Sequence, residues 1–506
     1  MEAKQLIKLE EPRILFGYGQ KMEDPRDGLT LFGPIENNLP YGIMNGVVGT
    51  KDGLQKFKHF LKTLQNPIFN SNSNTRPFFP GYEAVFRSKW DSEKIIFKEV
   101  TDSEIGKFLF YEDTHARTYH LVSLFTEKII RAVDNEDAKA DVWFVIIPDQ
   151  IYQYCRPKSS LPKELIAVRK TTTKSKAQKR MSTGMESMFG NINTENEPYK
   201  YDAHFHHQLK ARLLKHAIPT QILRESTIDW RNYKTSNDRY IRDFSKIEGH
   251  LAWSLSTAAF YKTGGRPWKL GDIREGVCYV GLVYKKDERS GDTRNACCAA
   301  QMFLDSGDGT VFRGAVGPWY NDTTKEYHLR RKQAKELMVI AVETYKEKKG
   351  EYPKELFIHG KTRFNQEEWN GFKDAVPETT NLVGVSILHN KPLKIYRADS
   401  DFPMLRGLAY IQSDNSGYLW TKGYVPRLET SLSMEVPNPL YIEISKGNAK
   451  IETVFEDILA LTKLNYNACI YGDGVPVTLR FADAIGEILT ASPLEKTPPL
   501  AFKYYI

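Results

Sequence analysis

Cysteine is scarce: five in 506 residues (Cys155, Cys278, Cys297, Cys298 and Cys469), too few and odd in number for a disulfide framework. No CxxC pair offers zinc ligands, and apolar runs such as Val142-Trp143-Phe144-Val145-Ile146-Ile147 are far short of a membrane span. The N-terminus MEAKQLIKLEEPRILF mixes both charge signs and lacks the apolar core and cleavage site of a secretory signal. A reducing cytoplasm without membrane attachment is the expected setting. No fixed-period repeat is visible, which excludes solenoids and propellers.

What remains is an ordinary globular composition, 41% hydrophobic and 26% charged, with room for about two to four domains. The formal charge of +8 makes a polyanionic partner worth testing without establishing one. Residues 158 to about 200 are poor in large apolar side chains and place Arg169, Lys170, Lys174, Lys176, Lys179 and Arg180 together without an acidic neighbour. This reads as a flexible basic insert, either simply solvated or grazing a nucleic-acid backbone.

Before the insert, DVWFVIIP reads as a buried strand and IYQYCRP as amphipathic. After it come a helix in HFHHQLKARLLKHA, a strand in PTQIL, and a helix from Lys246 through LAWSLSTAAFYK that stops at Gly264-Gly265. This is an α/β layout of parallel strands. From about residue 275 three strands follow, VCYVGLVY, NACCAAQMFLD and GTVFRGAVG, the last two joined by Ser306-Gly307-Asp308-Gly309 as a hairpin. A helix over about 332–348, strand ELFIHG, helix NQEEWNGF, strand LVGVSIL and two late helices, TVFEDILALTKL and TLRFADAIGEILT, complete the order of an RNase H-like fold.

His206 and Lys210 are four apart and share a helix face, Gln221 lies on the next strand, and Lys262 ends the second helix. Such groups can converge on a phosphate through charge-assisted bonds. Equally, Lys262 suits a helix C-terminus, and His206 and Lys210 suit a plain surface. His204, His206 and His207 do not face one way on a helix, which argues against a metal site there.

The strings DVWFVIIPDQIYQYCRP, HFHHQLKARLLKHAIPTQIL and STAAFYKTGGRPW, in that order, resemble the MID domain of Argonaute proteins, and the half that follows resembles a PIWI domain. The resemblance implies a guide 5′-phosphate pocket of His206, Lys210, Gln221 and Lys262, with His206 where the family usually has a stacking Tyr. Ala258 replaces one family lysine, which suits a Mg²⁺ ion held by guide phosphates and the C-terminal carboxylate of Ile506. RNase H-type cleavage needs several carboxylates around two metal ions. Here Val283 and Lys361 fill the places of two catalytic Asp residues while Asp483 is retained, so no catalytic residue is expected. Asp287 or Glu368 would be needed to rebuild the site. Arg266, Lys269, Arg363 and Arg406 are candidate contacts to a nucleic-acid backbone.

The expected organisation is an N-terminal portion over 1–125, a MID domain over 126–268 and an inactive PIWI domain over 269–506, with no N or PAZ domain. This resembles a short prokaryotic Argonaute, and the strings DPRDGLTLFGP, SKIEGHLAW and LNYNACIY resemble the Argonaute subunit of SPARTA systems. That resemblance implies a guide RNA, a single-stranded DNA target from plasmid or phage, and a heterodimer with a TIR-APAZ protein. The complex would oligomerise on target binding and hydrolyse NAD(P) through the partner. Alternatives are an active guided nuclease with rearranged metal ligands, or a different effector, sirtuin-like or nuclease.

Overall fold

The computed structural model describes residues 5–39, 41–69, 78–136, 138–183, 195–229, 248–286, 295–304, 309–388, 393–398, 400–433, 435–493 and 500–506. Its first strand, β1 (Gln5–Lys8), lies on the edge of the large second sheet.

A four-stranded parallel sheet forms the first unit. Its strands are β2 (Asn45–Gly49), β3 (Ile95–Glu99), β4 (Val142–Ile147) and β5 (Thr220–Arg224), in the order β3-β2-β4-β5. Every residue of β4 is buried, as a central parallel strand covered on both faces requires. Its alternation splits the core: Phe144 and Ile146 pack with Phe57 and Phe60 on one face, while Trp143, Val145 and Ile147 pack with Leu121 and Leu209 on the other. Phe57 and Phe60 belong to helix α1 (Lys51–Leu64), capped by Thr50 accepting from Gly53 N, and Leu121 to helix α2 (Thr114–Asn135), capped by Asp113 accepting from Ala116 N. Helices α3 (Phe205–Leu213) and α4 (Glu248–Lys262) follow. Gly264, at φ +99, then turns the chain in a conformation that only glycine adopts without strain.

Two strands of this sheet come from residues before 126, so the unit begins well ahead of the boundary expected from sequence. Two short strands separated by a helix carry too little periodicity to announce themselves.

The insert also differs from the expected loose loop. Its described part contains a helix over Lys174–Ser182, and Tyr199 is buried with its hydroxyl donating to Asp113 and to the carbonyl of Thr172. Lys170 pairs with Asp113 at 3.0 Å and Arg180 with Glu195 at 3.4 Å. Part of the basic charge is therefore spent on docking this segment against the start of α2.

The second unit is a ten-stranded sheet. Three long antiparallel strands, β6 (Val277–Lys286), β7 (Asn295–Leu304) and β8 (Gly309–Pro318), stand beside two strands that run parallel to β6, β9 (Glu355–Gly360) and β10 (Asn381–Leu388). The order β8-β7-β6-β9-β10 is that of the RNase H-like fold expected from sequence. Three further strands, β11 (Leu408–Ser413), β12 (Ser416–Leu419) and β13 (Leu440–Lys446), carry the sheet outward to β1, and β14 (Leu500–Ala501) closes the other edge against β8.

Helices α5 (Arg331–Lys349) and α6 (Gln366–Lys373) cover one face, with Leu337, Met338, Trp369 and Phe372 buried against β6 and β7. Helices α7 (Ile451–Leu461) and α8 (Ala482–Leu489) cover the other. The late segment TLRFADAIGEILT is two helices, Val477–Arg480 and α8, broken at Phe481. The break brings Thr478 so close to β6 that a Cβ on Gly281 would lie 1.9 Å from its carbonyl oxygen, so only glycine fits there. Among the described residues no helix is long and apolar enough to cross a membrane.

Candidate functional site

Helix α3 anchors itself through Phe205, Leu209 and Leu213, all buried against the parallel sheet. The spacing of 3.6 residues per turn then turns His206 and Lys210 together toward β5 and the end of α4. Lys210 is 2% exposed and its ammonium donates to the carbonyl of Thr220, at 3.3 Å, and to the main-chain oxygen of Ile506. Lys262, the last residue of α4, is 1% exposed and donates to Gln221 Oε1. The structure thus brings His206, Lys210, Gln221, Lys262 and Ile506 to one place, although Lys210 and Ile506 are 296 residues apart.

Neither lysine pairs with a carboxylate side chain among the described residues. Burial therefore lowers the pKa of Lys210 to about 7, and burial followed by repulsion from Lys210 holds Lys262 well below its usual value. Burial, then the positive charge of Lys210 and neighbouring groups, holds the pKa of His206 well below its usual value. Two desolvated amino groups facing each other with no acidic side chain between them form a site that a negatively charged ligand would complete. A phosphate would do so through charge-assisted hydrogen bonds.

A cavity of about 280 Å³ opens beside this cluster, walled by His206, Gln221, Tyr152, Arg224, Thr227 and Leu255. The guanidinium of Arg224 sits 4.4 Å from the centre of the Tyr152 ring. Its mix of apolar wall and polar edge suits a flat heteroaromatic ring. Tyr152 and Arg224 were not legible as site residues. The amphipathic IYQYCRP was the only hint, and it becomes the short helix Asp149–Tyr154 that fixes Tyr152 at the rim.

The oxygens available to a cation here, Gln221 Oε1 and the Ile506 main-chain oxygen, already accept from lysine ammonium groups. The Mg²⁺ expected from sequence would draw its other ligands from guide phosphates, and of this chain's expected ligands the Ile506 main-chain oxygen lies here against Lys210.

The second locus lies across β6 and β9. Val283 pairs through its backbone with Ala299 of β7. Lys361, just past the end of β9, places its ammonium 2.9 Å from both carboxylate oxygens of Asp483 at the start of α8. Asp483, the acid expected to be retained, is thus paired with Lys361, the lysine expected in place of another acid. His359, one strand position inside, is fully buried, hydrogen-bonds Thr478 Oγ1 at 2.9 Å, and is lowered to about 3 by burial.

Glu368 offers no replacement ligand. It is 1% exposed and accepts from the Tyr284 hydroxyl, from Leu329 N at 3.2 Å and from His328 at 3.2 Å, on the face covered by α5 and α6. Asp287 lies outside the described residues. Among the described residues no group of three or more His, Cys, Asp or Glu is placed to hold a metal ion.

The candidate backbone contacts separate sharply. Arg363 is exposed, held to Glu443 at 2.9 Å. Lys269 is half-buried on a two-residue strand beside Leu15, and Arg266 pairs with Glu36 at 2.9 Å. Arg406 is not a surface cation: it is 2% exposed, and its guanidinium is consumed by Glu11 at 2.9 Å, the carbonyl of Thr421 and Thr462 Oγ1. Its partner Glu11 lies 395 residues away and also holds Lys463 at 2.5 Å, so these charges tie the N-terminal segment to the large sheet.

A parallel α/β unit joined to an RNase H-like unit is the architecture of the MID and PIWI domains of Argonaute proteins, and the chain has that fold. It is similar to the structure of Clostridium butyricum Argonaute bound to a guide DNA with a 5′ deoxycytidine and a 19-mer target DNA, with a TM-score of 0.61 and 16% identity over 97% of this chain and 54% of that one. It is also similar to Aquifex aeolicus Argonaute, with a TM-score of 0.54 and 16% identity over 99% of this chain and 57% of that one. A third structure, Aa-Ago with externally bound siRNA, gives a TM-score of 0.53 and 17% identity over 99% and 56%. The chain therefore spans a little over half the length of these structures. Neither a protein-family model nor a curated protein matches it by sequence.

Proposed function

We propose that this chain is a guide-binding, nuclease-inactive Argonaute-type protein. It holds the 5′-phosphate of a small RNA guide between Lys210 and Lys262, seats the first base beside His206 in the adjoining cavity, and pairs the guide with complementary single-stranded DNA. The observation that carries the reading is the pair of buried lysine amino groups, neither paired with an acidic side chain among the described residues, converging with Gln221. The matched structures with guide, target and siRNA support the same ligand class. Base pairing would supply sequence recognition, leaving the protein to track backbone shape and charge.

The Lys361–Asp483 pair supports binding without cutting, because a single carboxylate that faces an ammonium is a poor start for a centre that needs several carboxylates around two metal ions. A sensor that does not cut needs an effector. The sequence resemblance to SPARTA Argonaute subunits assigns that role to a TIR-APAZ partner, which would hydrolyse NAD(P) in the cytoplasm of an invaded prokaryote when complexes assemble on target DNA.

The test is the double variant Lys210→Glu/Lys262→Glu, co-expressed with the adjacent gene. The expected result is loss of co-purifying small RNA and of target-triggered NAD⁺ consumption, with folding and partner binding retained. RNA occupancy equal to wild type would remove the pocket from the account.

A further inference from the structure

A small hairpin, Tyr320–Asn321 paired with Glu326–Tyr327, leads from β8 to α5 and is closed by His328 N donating to the carbonyl of Trp319 at 3.0 Å. The Tyr327 ring stacks on Tyr284 of β6, with centres 5.9 Å apart. The His328 side chain, 12% exposed, lies between two carboxylates: Nδ1 is 3.2 Å from Glu368 Oε2 on α6, and Nε2 is 3.2 Å from Glu326 Oε2 in the hairpin itself. A neutral imidazole carries one N–H and can serve only one of them, so this geometry belongs to the imidazolium.

Glu368 adds an independent observation. It is 1% exposed, and its other donors, the Tyr284 hydroxyl and Leu329 N, carry no charge. Among the described residues His328 is the one cationic group paired with it. The neighbouring cations are engaged elsewhere: Arg331 with Asp374 at 2.6 Å, Lys285 with Glu487 at 3.0 Å and Arg363 with Glu443 at 2.9 Å. Arg330, Lys325 and Asp322 are exposed, and Glu367 accepts from Arg331 N. The pKa of His328 is accordingly raised above histidine's ordinary 6.5, first by its hydrogen bond to Glu368, although burial opposes the rise. By contrast, His115, His120, His204, His206 and His359 are all lowered, with burial the first cause.

We propose that His328 is a proton-operated clasp for this hairpin. As imidazolium it bridges Glu368 and Glu326 and holds the hairpin against α6 and β6. Loss of the proton leaves the Glu368 carboxylate buried without a counter-charge, and the hairpin is released, withdrawing Tyr327 from Tyr284. Because the folded-state pKa is raised, the clasp's contribution is complete below about pH 6.5 and is lost as the pH rises through the folded value. Tyr284 follows Val283 on β6, so the clasp acts on the strand that carries the RNase H-like locus. The inference does not depend on guide binding.

Hydrogen exchange of the full chain, read by mass spectrometry from pH 6 to 9 and corrected for the intrinsic rate, follows the hairpin directly. Protection of residues 319–329 should fall by about threefold or more between pH 6.5 and 9, with helix α7 as the unchanging reference. Glu368→Gln removes the buried charge at nearly constant shape, so its hairpin should stay protected and lose the pH dependence. Glu326→Gln removes only the more exposed carboxylate and should move the midpoint to lower pH. Wild-type protection that does not change from pH 6.5 to 9, a pH dependence that survives Glu368→Gln, or an unmoved midpoint in Glu326→Gln would each overturn the proposal.

Discussion

Lys361 holds both oxygens of Asp483 at 2.9 Å, joining residues 122 positions apart at the mouth of the RNase H-like sheet. Both side chains are more than half exposed, at 53% and 66%, so the pair contributes little to stability, about 0 to 1 kcal/mol. Its consequence is electrostatic: the ammonium cancels the charge of the carboxylate at this locus.

Freeing Asp483 with Lys361→Ala is expected to change stability by no more than about 1 kcal/mol and to yield no cleavage, because one carboxylate does not hold two metal ions. Restoring acids with Val283→Asp and Lys361→Asp together should create Mn²⁺ binding detectable by calorimetry. Wild-type Mn²⁺ affinity equal to that of the double variant would contradict this reading of the locus.

On the proposed function, the buried lysines link binding of a 5′-phosphate to protons. Burial lowers Lys210 from 10.5 to about 7, so between about pH 7 and 10 the unfolded chain holds a proton that the folded, ligand-free chain has lost. Over that window this group makes stability rise with pH, and below about pH 7 the full cost of burying the charge is present. A bound phosphate restores the ammonium. Binding of a 5′-phosphorylated strand at pH 8 should therefore take up protons, measured by calorimetry in buffers of different ionisation enthalpy, and weaken from pH 7 to 9. A 5′-hydroxyl strand should show neither effect.

Arg406 and Arg363 should respond in opposite ways. Arg406→Met removes a buried partner of Glu11 and is expected to cost about 3 kcal/mol in chemical denaturation, without a specific loss of nucleic-acid affinity. Arg363→Met touches an exposed pair and should cost under about 1 kcal/mol. If Arg363 meets a phosphate, its loss should also lower the salt dependence of binding by about one counterion.

The contrast between these arginines shows where sequence reading stops. Elements with strong period and clear punctuation, such as β4, α4 before Gly264-Gly265, and the β6-β7-β8 meander, were legible because local pattern and final burial agree. So were His206 and Lys210, since one helical turn fixes their shared face. Strands β2 and β3 were not, because NGVVG is short and glycine-rich and gains strand character only from its parallel neighbours. Arg406 looked like any cation in FPMLRG; its meaning lies in Glu11.

The most direct measurement takes one purified, guide-loaded sample and follows a labelled complementary DNA strand in Mg²⁺ and then Mn²⁺. The account requires that the strand be retained, that retention depend on the guide 5′-phosphate, and that the strand stay intact. Guide-matched cleavage that disappears on Asp483→Ala would contradict it.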